Sequence, residues 1–162
     1  MNNLVLPSLK STLDISRLNS EQFVVYGEIL NWLENSVNNV ALLEGKPGVG
    51  KTFLLQYVID VYKKRAIFTA PTNKATKVLK QMLTSPSYDP DTATIYSLLG
   101  LSLSNDGEVK EIIADDEKFE VSRYSLIVLD ECYMVNAALK KYLDKMLKTN
   151  PKVKLLLLGD SY

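Results

Sequence analysis

The sequence predicts an α/β three-layer sandwich on a mainly parallel sheet, with a small β-hairpin insertion. Three observations carry that prediction. Short apolar runs at 40–43, 66–70, 126–129 and 154–158 are bounded by turn or charged residues and are too short for buried helices, so they read as strands. Helical patterns at 52–64, 73–83 and 137–147 lie between them. Runs such as LIVL and KLLLLG are continuously apolar, as strands covered on both faces must be.

Taken in order, residues 1–18 carry Pro7 and scattered serine and threonine and read as an arm leading into one domain over 19–162. Asn19 and Gln22 have capping-box spacing, which opens a helix running to about Asn35. Its apolar positions Phe23, Tyr26, Ile29, Leu30 and Leu33 recur at helical spacing, and the aromatics Phe23, Tyr26 and Trp32 are assigned to the core. Residues 84–92 (TSPSYDPDT) contain two prolines and read as a loop. Residues 102–122 hold Asn105, Asp106 and Gly107 followed by VKEII and KFEV, the pattern of a hairpin excursion. Lys140, Lys141, Lys145 and Lys148 form the solvated face of the last helix.

Composition excludes several classes. A chain of 162 residues, 46% apolar and 23% charged, suits one domain with a real core. Formal charge is zero, so attraction to a polyanion would need a local basic groove. With no histidine and one cysteine, Cys132, histidine catalysis, an internal disulfide and cysteine-rich zinc sites are excluded. No run approaches the ~20 apolar residues of a membrane span, and the N-terminus lacks the apolar stretch of a secretory signal. The expected setting is the cytoplasm of a bacterial or phage-infected cell, with no membrane partner.

Residues 45–52 read GKPGVGKT and match G-x-x-x-x-G-K-[ST] at every fixed position, after a predicted strand and at the start of a helix. The chemistry needs these residue types. Gly45, Gly48 and Gly50 allow a tight turn whose N–H groups point inward at phosphate oxygens, with Lys46, Pro47 and Val49 completing the loop. The helix adds its positive N-terminal end. Lys51 would place an ammonium on the β- and γ-phosphates of ATP, and the Thr52 hydroxyl would ligate Mg2+. The alternative, a glycine-rich turn that fits by chance, is disfavoured by the strand–loop–helix context.

Asp130 and Glu131 close the strand over 126–129. An acid at the C-terminal end of a parallel strand shares the sheet edge with the phosphate loop. Asp130 would then hold Mg2+ through water, and Glu131 would accept a proton from the water attacking the γ-phosphate. A protein that only binds nucleotide needs no second carboxylate there.

Several short motifs together resemble superfamily 1 helicases, particularly the RecD-like group that includes the phage Dda helicases. Residues 18–22 (LNSEQ) look like the family's Q motif, in which Gln22 would read the adenine edge. Residues 70–77 (APTNKATK) look like motif Ia, and 94–99 (TIYSLL) resemble the next DNA-contacting segment, with Tyr96 where the family usually has histidine. Asp130 and Glu131 correspond to motif II, which here reads DECY where the family prefers small residues after DE; 158–162 (LGDSY) resemble the start of motif III. The resemblance implies a first RecA-like motor domain of an ATP-dependent DNA helicase or translocase, with single-stranded DNA and a second RecA-like domain as partners. It further implies feeble hydrolysis by this domain alone and a strand-separating pin at 102–122, which the acidic run at 115–117 opposes.

The residues themselves allow part of the DNA reading. Pro71, Thr72, Asn73 and Lys74 end a strand and start a helix, whose free N–H groups suit a phosphate. Thr94 and Tyr96 would add a polar contact and a ring to stack on a base, the latter worth roughly 1–3 kcal/mol. Lys74, Lys77 and Lys80 follow at helical spacing, with Lys77 and Lys80 better read as solvated. Two other classes fit part of the pattern. Another P-loop ATPase, such as an AAA+-type loader, would carry the loop and the DE pair without APTNKA or TIYSLL between them. A nucleotide-dependent binding module would not turn over ATP, and Glu131 argues against it.

Overall fold

Every strand of the main sheet runs parallel to its neighbours, which brings all their C-terminal ends to one edge. The computed structural model describes residues 13–62, 64–83, 89–112 and 120–161. In chain order these form α1 (Ser20–Asn35), β1 (Val40–Gly45), α2 (Lys51–Tyr62), β2 (Ala66–Ala70), α3 (Asn73–Met82), β3 (Asp91–Thr94), α4 (Ile95–Leu98), β4 (Leu101–Leu103), β5 (Val109–Glu111), β6 (Leu126–Leu129), α5 (Ala137–Thr149) and β7 (Lys154–Asp160). The sheet order is β1-β7-β6-β2-β3, and β4 and β5 pair separately as an antiparallel hairpin.

Two cores flank the sheet, as the sandwich requires. Along β6, Leu126 and Val128 join the core beneath α1 and α2, while Ile127 and Leu129 join the one beneath α4 and α5. All four side chains are fully buried, each worth about 1.5–3 kcal/mol of transfer free energy. This two-sided burial is why LIVL shows no alternation.

Helix α1 starts as predicted. The Asn19 side chain accepts from the Gln22 amide at 2.8 Å, and Gln22 Oε1 accepts from the Asn19 amide at 3.0 Å. Its C-terminal end has no basic residue of its own. Lys154 supplies one from β7, donating to the Trp32 and Ser36 carbonyls at 2.8 and 2.7 Å with its ammonium 5.1 Å from the Trp32 ring centre.

Several expectations are corrected. Phe23 lies in the first turn at the margin of the apolar stripe and stays 41% exposed, while Tyr26 is buried and Trp32 half-buried. The loop expected over 84–92 ends earlier, because Asp91–Thr94 pairs with β2 as a strand. DTAT is short and polar; on an edge, with one neighbour, it needs no continuous apolar run. The hairpin begins at Leu101, one residue before its expected start, and turns at Gly107 with φ +84°. Glu120 and Val121, the described part of KFEV, enter a 3₁₀ turn instead of a strand. Residues 1–12, 84–88 and 113–119, including the acidic run, lie outside the described residues, as do Lys63 and Tyr162. Strands β1 and β7 each run two residues further than their apolar stretches, to Gly45 and Asp160.

Candidate nucleotide site

Strand β1 ends at Gly45, and the chain turns through 46–50 into α2. Gly48 and Gly50 hold φ of +78° and +83°, the left-handed region that glycine enters without penalty. Gly45 is crowded in another way: a Cβ there would stand 3.1 Å from Val49 Cγ2, so the Val49 side chain would have to give way. The first helical hydrogen bond runs from the Leu54 amide to the Gly50 carbonyl, so the preceding N–H groups at the start of α2 have no acceptor within the helix. Thr52 is buried at the base of this turn. Gln22 lies against the loop, donating from Nε2 to the Val49 carbonyl at 3.2 Å. With its Oε1 in the capping box the amide is held at both ends, and one Nε2 hydrogen is left for a ligand.

The Lys51 ammonium is the centre of a polar cluster. It donates to the Gly45 and Lys46 carbonyls at 3.0 and 3.3 Å and to Asp160 Oδ1 at 2.7 Å. Asp160 comes from β7, which lies between β1 and β6. Register decides its place: Asp160 pairs with Gly45 while the last partner of β6 is Leu157, so β7 projects past β6 toward the loop. The Ser161 amide donates to the Gly45 carbonyl at 3.0 Å and fixes that end.

Asp130 and Glu131 leave β6 on the other side of β7. Asp130 Oδ1 accepts from the Glu131 amide at 2.9 Å. Glu131 has φ +53° and ψ +44°, the only positive φ outside glycine among the described residues. Left-handed backbone costs a residue with a Cβ about 1–2 kcal/mol, and such strain gathers at functional turns. The chain then enters a 3₁₀ turn over Cys132–Met134 that packs onto β7. A Cβ on Gly159 would lie 3.0 Å from Cys132 Sγ, so glycine lets the turn approach.

Electrostatics follow from this crowding. Burial first, and then Asp160, push the Asp130 carboxyl above its ordinary value, against the Glu131 amide and Lys51, which lower it. Burial, Asp130 and Asp160 raise Glu131 likewise. Burial and the nearby Asp130 also raise the Cys132 thiol, which leaves it a poor nucleophile.

The residues predicted to meet DNA divide into two groups. Asn73 and Thr94 line one cleft of about 760 Å³, with Thr76, Ser97 and Lys145, between α3, α4 and α5. Thr72 and Thr94 are both helix N-caps, accepting from the Ala75 and Ser97 amides at 3.1 and 3.0 Å. Lys74 is exposed beside them and Pro71 is buried. Tyr96 is corrected: it is 8% exposed and belongs to the core with Ile95 and Leu98. The short α4 turns its side chain inward, so it offers no ring for a base.

A family model described as an AAA domain matches residues 32–162, which spans the phosphate loop, the DE pair and Asp160. The chain belongs to this AAA-domain family. No curated protein matches it. Among solved structures, it is similar to a Pif1 helicase from a study of two coordinating Pif1 helicases at forked duplex DNA, at 25% identity and TM-score 0.62, over 88% of this chain and 33% of that one. It is similar to unliganded Pif1 from Bacteroides at 25% identity and TM-score 0.59, over 88% and 31%. It also shares its fold with Bacteroides Pif1 in complex with ADP-AlF3 and single-stranded DNA, at 24% identity and TM-score 0.60, over 88% and 32%. The chain thus spans about a third of the length of these structures.

The residues of the AAA domain fit a magnesium-bound nucleotide. The glycine turn would be obstructed by side chains at Gly45 or Gly50, and the start of α2 is an anion-binding geometry. Thr52 and Asp130 offer the oxygen donors a hard cation takes. Asp160 is a site residue to which LGDSY alone assigns no role; its signal in the sequence is an acid at the end of a buried strand, at the same edge as the DE pair.

Proposed function

We propose that this chain is a nucleotide-driven motor domain of a superfamily 1 DNA helicase or translocase, working on MgATP and single-stranded DNA. One arrangement carries the reading. The C-terminal ends of β1, β7 and β6 bring Lys51, Asp160, Asp130 and Glu131 to the sheet edge at which β2 and β3 also end, where Asn73 opens α3 and Thr94 caps α4. Nucleotide and polynucleotide sites on one rigid edge allow a change at one to reach the other. The likeness to Pif1 helicases, one of them in complex with ADP-AlF3 and single-stranded DNA, supports it.

In this reading the loop amides and Lys51 would hold the phosphates and Thr52 and Asp130 would hold Mg2+, which when bound would supply positive charge beside the phosphoryl group. Glu131 orients the attacking water and takes its proton. Thr72, Asn73, Lys74 and Thr94 face the strand by backbone amides and hydroxyls rather than by stacking. A second RecA-like domain would supply an arginine, an effect worth roughly 10³–10⁵ in rate. Arg65 and Arg123 do not compete for that role, being paired with Asp91 and Glu120. A cytoplasmic setting is consistent with this reading, and among the described residues no helix is long and apolar enough to cross a membrane.

The test is ATP hydrolysis by the intact protein with and without single-stranded DNA. Stimulation by DNA that is lost in Lys51→Ala is expected. Hydrolysis that ignores DNA points to a loader-type ATPase, and binding without hydrolysis to a switch; either overturns the motor reading.

A further inference from the structure

We propose that Asp160 is a latch on the phosphate site: its carboxylate and the terminal phosphates of a nucleotide compete for the one Lys51 ammonium. This rests on the phosphate-binding reading of the loop. An ammonium has three donors, and here three protein oxygens take them: the Gly45 carbonyl at 3.0 Å, the Lys46 carbonyl at 3.3 Å and Asp160 Oδ1 at 2.7 Å. Phosphate oxygens can reach that ammonium only as some of these bonds are given up. The shortest of them, and the only ionic one, is to Asp160.

The pair is built to persist. The Lys51 side chain is 12% exposed and that of Asp160 32%, so the contact is less screened than the surface pairs Arg65–Asp91, Lys110–Glu108, Arg123–Glu120 and Lys145–Glu111, whose side chains are 39–73% exposed. The backbone also places Asp160, through the register of Asp160 with Gly45 and the Ser161 amide bond to the Gly45 carbonyl. The backbone of Asp160 is therefore fixed at the mouth of the loop, within reach of the Lys51 ammonium. A ligand with much negative charge concentrated at its end displaces it; a weakly charged one does not. Once displaced, the carboxylate remains beside Asp130 and Glu131 at the edge where magnesium would lie. The latch thus favours a metal-bound polyphosphate over a bare one.

The test is the affinity of the 162-residue chain for ADP without magnesium, read by calorimetry or by displacement of a fluorescent ADP. Asp160→Asn keeps the shape and removes the charge, and it should tighten binding about tenfold, equivalent to 1.4 kcal/mol. Asp160→Ala should do the same, which covers any folding defect particular to asparagine. Glu44→Gln removes an equal charge from the exposed end of β1 beside the loop, does not touch the Lys51 ammonium and should change the affinity less than threefold. Adding magnesium should shrink the gain of Asp160→Asn. Unchanged or weaker ADP binding in both Asp160 variants overturns the latch. So does an equal gain in Glu44→Gln, since that would be simple charge repulsion. Lys51→Ala separates the two levels of the argument: if it binds ADP like the unaltered chain, the phosphate-site reading fails with the latch. If it loses binding while the Asp160 variants gain nothing, only the latch fails.

Discussion

Alanine at Gly48 and at Gly50 gives a matched pair of perturbations in one loop. Both glycines sit at positive φ, +78° and +83°, so a Cβ at either costs about 1–2 kcal/mol from the backbone alone. They differ in what that Cβ meets. At Gly48 nothing lies within 4 Å, whereas at Gly50 the Gln22 Nε2 would be 2.8 Å away. Gln22 would have to swing aside, giving up its bond to the Val49 carbonyl and straining the capping-box bond from the Asn19 amide. Each neutral hydrogen bond contributes about 0.5–1.5 kcal/mol. Gly48→Ala should therefore destabilise by about 1–2 kcal/mol and Gly50→Ala by about 2–4 kcal/mol. Urea unfolding reads both, as midpoint shifts at constant slope. In a Gln22→Ala background the excess at Gly50 should disappear. Equal losses in the two single variants, or an excess that survives removal of Gln22, would refute the reasoning.

Three further outcomes are expected. Glu131→Gln should retain nucleotide and slow turnover roughly 10²–10⁴-fold, measured as ATP hydrolysis in the intact protein; equal loss of ATP affinity would remove Glu131 from the base role. Lys154→Met should destabilise the chain by about 2–4 kcal/mol, since two carbonyls at the end of α1 lose a charged donor, and amide exchange should quicken in that last turn; a shift below about 0.5 kcal/mol would count against the cap. Tyr124 donates to Asp91 at 2.6 Å, and burial, followed by Asp91, holds its hydroxyl up at about 12. A folded value above the ordinary 10 means that the native state keeps this proton longer, so its contribution is complete below pH 10 and is lost between 10 and 12. Stability should fall across that window more steeply in the unaltered chain than in Tyr124→Phe, and parallel curves would exclude the hydroxyl as the cause.

The phosphate loop and the DE pair were legible because local chemistry dictates them. Backbone turns that place amides on phosphate demand glycine at fixed spacing, and strands buried on both faces leave continuous apolar runs such as LIVL. The capping box at Asn19 and Gln22 was readable for the same reason, since both partners lie within one turn. Phe23 differs from expectation because helical spacing gives a direction relative to the helix axis and says nothing of what lies opposite, and Tyr96 because a short motif says nothing of which way its ring faces. Tyr96 is buried in a core whose other members include Ile67, Ile127, Leu129 and Leu139, all from elements distant in sequence.

Sequence alone thus determined the class of the fold, the strand–loop–helix that forms the phosphate cradle and the presence of two acids at a strand end. Tertiary structure decided which strand lies between them. Strand order is set by which apolar faces find one another across the whole chain, a contest that no local pattern records. The outcome inserts β7 between β1 and β6 and lets it run past β6 by its last residues. That register puts Asp160, 109 positions from Lys51 in sequence, at 2.7 Å from its ammonium.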